Sequence, residues 1–163
     1  GNAKAGKLVF KNSFFLQRGN YDLISVLDES VSKDTYLQKG LFVDLFDPEL
    51  PVLTKKIVTP GSQAFLYDIK RVQQKNKPQV LASAARVYNE TITKNTYSFV
   101  VKSPENTVNV MRTLLPKQPK TISVTNNRGK QLNLQRNEWD SKSKTCLLSF
   151  DNDPDGVSVK IQY

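Results

Sequence analysis

The chain has 163 residues, with 24 Lys and Arg against 15 Asp and Glu, a net charge of +9, one cysteine and no histidine. The missing imidazole excludes histidine metal sites, Ser-His-Asp and Cys-His catalysis, and imidazole proton transfer. A single cysteine excludes an intrachain disulfide, and no apolar run approaches the roughly 18 residues of a membrane-spanning helix.

In chain order, Gly1–Gly6 reads as a linker or a cloning remnant and residues 7–163 as an all-β antiparallel sandwich. Short apolar/polar alternations recur throughout, the mark of strands with one face buried and one wet. They cover Lys7–Gln17, Tyr21–Leu27, Gly40–Phe46, Val52–Val58, Gln63–Ile69, Tyr97–Val101, Thr107–Leu114, Thr121–Val124, Gln131–Leu134, Cys146–Phe150 and Val157–Ile161. Asp28–Lys33 has the character of a helical turn. Val80–Asn89 is open to two readings. Leu81, Ala84, Ala85 and Tyr88 have helical spacing, whereas Val80, Val87 and the neighbouring strands favour a strand, which is the reading adopted.

Turn chemistry separates the strands. Gly19-Asn20, Asp47-Pro48, Leu50-Pro51, Pro60-Gly61 and Asn126-Asn127-Arg128-Gly129 are its main sites. Many short strands between such turns specify either one large sandwich or two closely packed smaller β units. If there are two, Ser103-Pro104-Glu105-Asn106 is the natural joint, dividing the chain into 7–102 and 103–163.

Asp151, Asp153, Asp155 and Gly156 fill positions 1, 3, 5 and 6 of a calcium loop of EF type. Position 12 is Gln162, which cannot serve as a bidentate anion, and the flanks alternate as strands do. The same residues spell a turn joining two strands as a hairpin, with Pro154 at i+1 and Gly156 at i+3. The hairpin is therefore expected, with Asp151, Asp153 and Asp155 kept as the candidate calcium ligands and no other cofactor expected. The acid groups Asp44, Asp47 and Glu49, and Glu138 with Asp140, are marked only by proximity, so no catalytic residue is assigned. The basic residues are scattered rather than run together, which argues against nucleic-acid binding. Trp139, the only tryptophan, stands just before the polar turn Ser141–Lys144 and is the candidate glycan-binding platform. Core or edge packing is its alternative role.

Three stretches carry a resemblance: "KGLFVDLFDPELPVLTKKIVTPGSQAFLYDI" (Lys39–Ile69), "YSFVVKSPENTVNVMRTLLPKQPKTISV" (Tyr97–Val124) and "NEWDSKSKTCLLSFDNDPDGVSVKIQY" (Asn137–Tyr163). Together they resemble accessory and C-terminal β domains of large secreted carbohydrate-processing proteins, glycoside hydrolases among them, of gut saccharolytic bacteria. The elements that recur there are matched by Gln118–Val124, Gly129, Trp139-Asp140 and Leu147–Phe150. The resemblance implies a non-catalytic, extracytoplasmic module. It would pack against a catalytic domain of the same polypeptide or complex and contact polysaccharide. The alternative is a free-standing adhesion or protein-interaction domain using an exposed sheet edge.

Overall fold

A computed structural model describes residues 13–27 and 35–163, and over them the chain is all-β and antiparallel. The Gly1–Gly6 linker, the start of the Lys7–Gln17 strand and the Asp28–Lys33 turn lie outside the described residues. The chain divides into two compact units at Val72/Gln73.

The first unit carries five strands: β1 (Ser13–Arg18), β2 (Tyr21–Val26), β3 (Tyr36–Asp44), β4 (Val52–Val58) and β5 (Gln63–Asp68). They form one sheet in the order β1-β2-β5-β3-β4. Gly19-Asn20 closes the β1–β2 hairpin, with Arg18 opposite Tyr21 and Gly19 at φ +55°, where glycine carries no Cβ penalty. One face gathers Ile24, Val26, Phe42, Val58, Ala64 and Leu66, with Tyr36 packed against them. Asp22 shares that side of β2, in register with Leu66, and is 1% exposed.

Among the described residues neither carboxylate oxygen of Asp22 has a hydrogen-bond partner. Arg71 Nη2 stands 3.7 Å from it, while Arg71 Nε holds Asp68 more closely at 3.1 Å. Burial pushes the Asp22 carboxyl above its ordinary range; Arg71 pulls the other way and Asp68 adds to the rise. The chain leaves β5 through one helical turn, α1 (Lys70–Gln73).

The second unit has eight strands: β6 (Gln79–Ser83), β7 (Arg86–Ile92), β8 (Thr96–Lys102), β9 (Val108–Leu114), β10 (Thr121–Asn126), β11 (Arg136–Asp140), β12 (Thr145–Asp151) and β13 (Val157–Gln162). They form two four-stranded sheets, β11-β12-β9-β6 and β10-β13-β8-β7. Inward rows from both sheets meet in one core. Cys146, Leu148 and Phe150 of β12 and Met111 of β9 come from one sheet. Val157, Val159 and Ile161 of β13, with Tyr97, Phe99 and Val101 of β8, come from the other. Each is 2% exposed or less. This is the sandwich that the alternation specifies, with the expected residues inward.

Four expectations need correction. The ambiguous Val80–Asn89 segment is extended, as read, but it is two strands in different sheets, β6 and β7, broken at Ala84-Ala85. Ala84 N donates to Val110 O and Ala85 N to Asn109 Oδ1, which fixes the break. Next, Ser103–Asn106 is not a joint between halves. It is a crossover within the second unit, because β8 pairs with β13 and β9 with β12.

Gln131–Leu134 is not a strand either. Gln131 makes a single bridge to Thr125 and Leu132 N donates to Val124 O, after which Gln135 N donates to Ser149 O of the opposite sheet. The segment is used up in changing sheets, and the strand falls later, at Arg136–Asp140. Last, the Asp-Pro-Asp-Gly turn is not a hairpin, because it joins β12 of one sheet to β13 of the other. Its local geometry is as expected: Gly156 N donates to Asp153 O at 3.0 Å and Asp155 N to Asp153 Oδ1 at 2.9 Å.

Two predictions follow from the packing. Phe150→Ala should lower unfolding free energy by about 3–5 kcal/mol and Ile161→Ala by about 2–5 kcal/mol. Lys160→Ala, between two inward residues, should stay within about 0.5 kcal/mol. Chemical denaturation measures all three, and a costly Lys160→Ala beside a neutral Ile161→Ala would mean a register shifted by one residue.

The folded protein holds the Asp22 proton to higher pH than the unfolded chain does. Its contribution to stability is present below the ordinary carboxylate range and is lost as pH rises through the raised value. Asp22→Asn should therefore raise Tm at pH 7, with the gain vanishing below about pH 4, near the unperturbed Asp value. A lower Tm at pH 7 would show that the Arg71 contact outweighs the cost of burial.

Candidate functional site

β10 and β11 are each an outer strand of its own sheet, with β7 and β6 at the opposite edges. The approach to β10 is shaped by Pro116 and Pro119, and Lys120 N donates to Gln162 O where the chain enters the sheet. Between the two outer strands lies an open groove of about 360 Å³, lined by Gln118, Pro119, Lys120, Thr121, Ile122, Asn137 and Trp139.

Trp139 is placed by alternation. It pairs with Cys146, and Asn137 pairs with Leu148, so both lie on the inward side of β11. At an outer strand, inward means only half enclosed. Trp139 is half-buried and packs against the inter-sheet core together with Ile122. Its indole therefore packs against the core with one part, the alternative role, and lines the groove with another. The groove's polar wall is Gln118, Lys120, Thr121 and Asn137. Thr121 Oγ1 donates to Gln162 Oε1 at 2.6 Å, and Asn137 Oδ1 faces Cys146 Sγ at 3.4 Å. Burial pushes the Cys146 thiol up to about 11, so it remains protonated and acts as a small core residue.

The neighbouring acids lie elsewhere. Glu138 is on the outward side of β11 and takes a two-point contact from Arg136, at 2.8 and 3.2 Å. That contact draws its carboxyl below the ordinary range. Asp140 accepts from Ser143 N at 3.1 Å and from the Ser143 hydroxyl, tying down the Ser141–Lys144 turn. In the first unit, Asp44 pairs with Lys56 at 3.2 Å and accepts from Phe46 N. Asp47 accepts from Glu49 N at 2.9 Å. These carboxylates serve turns and ion pairs.

Asp151, Asp153 and Asp155 are close in sequence without converging. Gln135 Nε2 donates to Asp151 Oδ1 at 2.8 Å, Asp153 holds its own turn, and Asp155 is exposed. Among the described residues no three His, Cys, Asp or Glu side chains gather in a group suited to a metal ion. The turn's second job is steric. Gly156 has φ +111°, and a Cβ there would lie 3.1 Å from Val100 Cγ1. The corner between the sheets therefore calls for glycine by its angle, and its closeness to β8 leaves little room for a side chain.

A corner built this way should not depend on calcium. Thermal unfolding with millimolar calcium or with chelator should give the same Tm. A ligand at a hundred times its Kd would add about 2.7 kcal/mol, or roughly 2–4 °C in a domain of this size, and a rise of that order would restore the three aspartates as ligands. The chain matches no protein-family model, and no curated protein or solved structure is found similar to it.

Proposed function

We propose that this chain is a non-catalytic β-sandwich accessory module that contacts glycan through the Trp139 groove. The observation that carries the reading is the half-buried indole on an outer strand, lining an open groove with amide, hydroxyl and ammonium side chains around it. A sugar ring presents an apolar face and a rim of hydroxyls. An aromatic floor with polar walls is complementary to both. Gln118 and Asn137 can donate and accept at once, Thr121, whose own proton goes to Gln162, can accept, and Lys120 can donate.

The sequence resemblance supports the wider setting: a secreted carbohydrate-active protein whose catalytic domain this module packs against. The absence of histidine from the sequence and the structural engagement of the paired acids support a binding role rather than a hydrolytic one. The second reading, a protein-interaction domain, draws on the same strand. β11 lies at the edge of its sheet, and an extended peptide could add to it by backbone pairing.

Trp139 is the sole tryptophan, so its emission reports on the groove directly. Titration with plant and host polysaccharides should shift the emission. Lys120→Ala should weaken retention on the matching polymer several-fold without changing Tm. Trp139→Ala should abolish retention and also lower stability by about 1–3 kcal/mol, because the ring packs on the core as well. An emission that is blue-shifted, protected from quencher and indifferent to every polysaccharide would remove the groove as a glycan site and favour the protein-interaction reading.

A further inference from the structure

The two sheets of the second unit differ on their outer faces. In the sheet β10-β13-β8-β7, the positions pointing away from the core are set by register. Ser158, Lys160 and Gln162 of β13 lie opposite Val100, Ser98 and Thr96 of β8, and opposite Thr125, Ser123 and Thr121 of β10. On the other side of β8, Arg86 lies opposite Lys102 and Tyr88 opposite Val100. These paired positions hold three cations, a row of hydroxyls and no carboxylate. Arg86, Lys102 and Lys160 are all exposed.

The corner formed by Arg86, Lys102 and Tyr88 is unusual in its electrostatics. Like charges directly across an antiparallel pair repel. Here both lean onto one ring: Arg86 Cζ stands 5.6 Å from the Tyr88 centroid and Lys102 Nζ 5.4 Å. Attraction to the ring holds the two cations together. Among the described residues neither forms an ion pair with an acid. Glu90, in the adjoining bulge, takes the Tyr97 hydroxyl instead, and Asp155 lies in the corner turn whose Gly156 sits beside the Lys102 stem.

Two cations held close, without an acid between them, form a ready seat for an anion. Lys160 lies across from Ser98, four residues along β8 from Lys102, or roughly 13 Å at the usual strand rise. The seat is thus one end of an extended basic and hydroxyl-bearing surface rather than an isolated point.

We propose that this outer face binds an anionic polysaccharide, with Arg86 and Lys102 flanking Tyr88 as the seat for its carboxylate or sulfate groups. The hydroxyl rows suit a polymer of hydroxylated rings, since each Ser or Thr both donates and accepts. Nucleic acid fits less well. Strong binding there rests on about 6–10 phosphate contacts, and this face offers three cations. Its tyrosine is also already covered by two of them, which leaves no open ring for base stacking. The Arg86–Lys102 seat on β7 and β8 shares no residue with the Trp139 groove, which meets this face only at Thr121 on β10, so the seat and the groove can fail independently.

The test is affinity electrophoresis of the full chain against polygalacturonate, chondroitin sulfate, neutral dextran and a 20-nucleotide single-stranded DNA. Retention on polygalacturonate or chondroitin sulfate is expected, with none on dextran. Polygalacturonate alone would assign a carboxylate ligand, and chondroitin sulfate alone a sulfate. The double variant R86A/K102A should lose at least tenfold in affinity with Tm unchanged or raised. The double variant K142A/K144A makes the same change in net charge in the Ser141–Lys144 turn and should stay within twofold. Trp139→Ala should keep this binding even if it loses the groove's. Equal losses in the two double variants would reduce the effect to net charge and overturn the proposal. So would the absence of retention on either anionic polysaccharide, or tighter R86A/K102A-sensitive binding of the DNA.

Discussion

The contact on which the second unit depends is the meeting of two short rows, Cys146, Leu148 and Phe150 of β12 with Val157, Val159 and Ile161 of β13. The rows are adjacent in sequence but belong to opposite sheets. Strands joined by a tight turn usually pair with one another. Here the turn from Asp153 to Gly156 lifts the chain out of one sheet and sets it down in the other, so the rows face each other instead. Gly156 makes this possible by holding φ +111°, an angle that suits glycine, with its Cα close against the Val100 side chain. Once the rows face, the remaining strands have their inward sides determined, because a one-residue slip would reverse every one of them.

Alternation made much of this legible in the sequence. Phe99, Val101, Leu148, Phe150, Val157, Val159 and Ile161 are all inward and buried, as their period of two requires. Connectivity was harder to read. Period two reports which side of a strand is buried and says nothing of which strand lies next to it. The Asp153–Gly156 corner and the Ser103–Asn106 crossover therefore looked like a hairpin and a domain joint. Ser83 to Arg86 was obscured for another reason. Ala84 and Ala85 have high helical propensity, and the backbone bonds to β9 that overrule it are long-range.

The candidate site shows the same division. Trp139 could be singled out because it is unique, and its alternation with Glu138 and Asp140 places them on opposite sides of β11. Its neighbours in the groove could not be inferred. Gln118 to Ile122 reach it only because β10 and β11 end up as outer strands on the same open side of the two sheets. The Arg86–Tyr88–Lys102 corner was invisible for a similar reason. Arg86 and Lys102 are sixteen positions apart in the sequence, and only the β7–β8 register brings them opposite one another.

Burial also decides where a ligand of either kind could be met. Thr145–Phe150 of β12 is buried on both of its faces, with Leu147 and Ser149 on the outward side at 1% and 3% exposed. Its sheet neighbour Arg112 is likewise buried at 7%, its Nη1 donating to Thr145 Oγ1 at 2.9 Å, and burial lowers the guanidinium's affinity for its proton. The centre of that sheet has no wet face to offer. β13, one corner later in the chain, strictly alternates between buried and exposed residues. The free surface of the second unit is therefore asymmetric. One sheet is closed at its centre and is open toward its edges, with Trp139 on the β11 edge, while the other presents a whole face. Stability restricts the inward residues to apolar side chains and leaves the outward ones of β7, β8, β10 and β13 unconstrained by the core. A row of hydroxyls and cations without an acid among them is not something the core requires, and repulsion between Arg86 and Lys102 opposes it. Such a row is best accounted for by a partner that brings the missing negative charge.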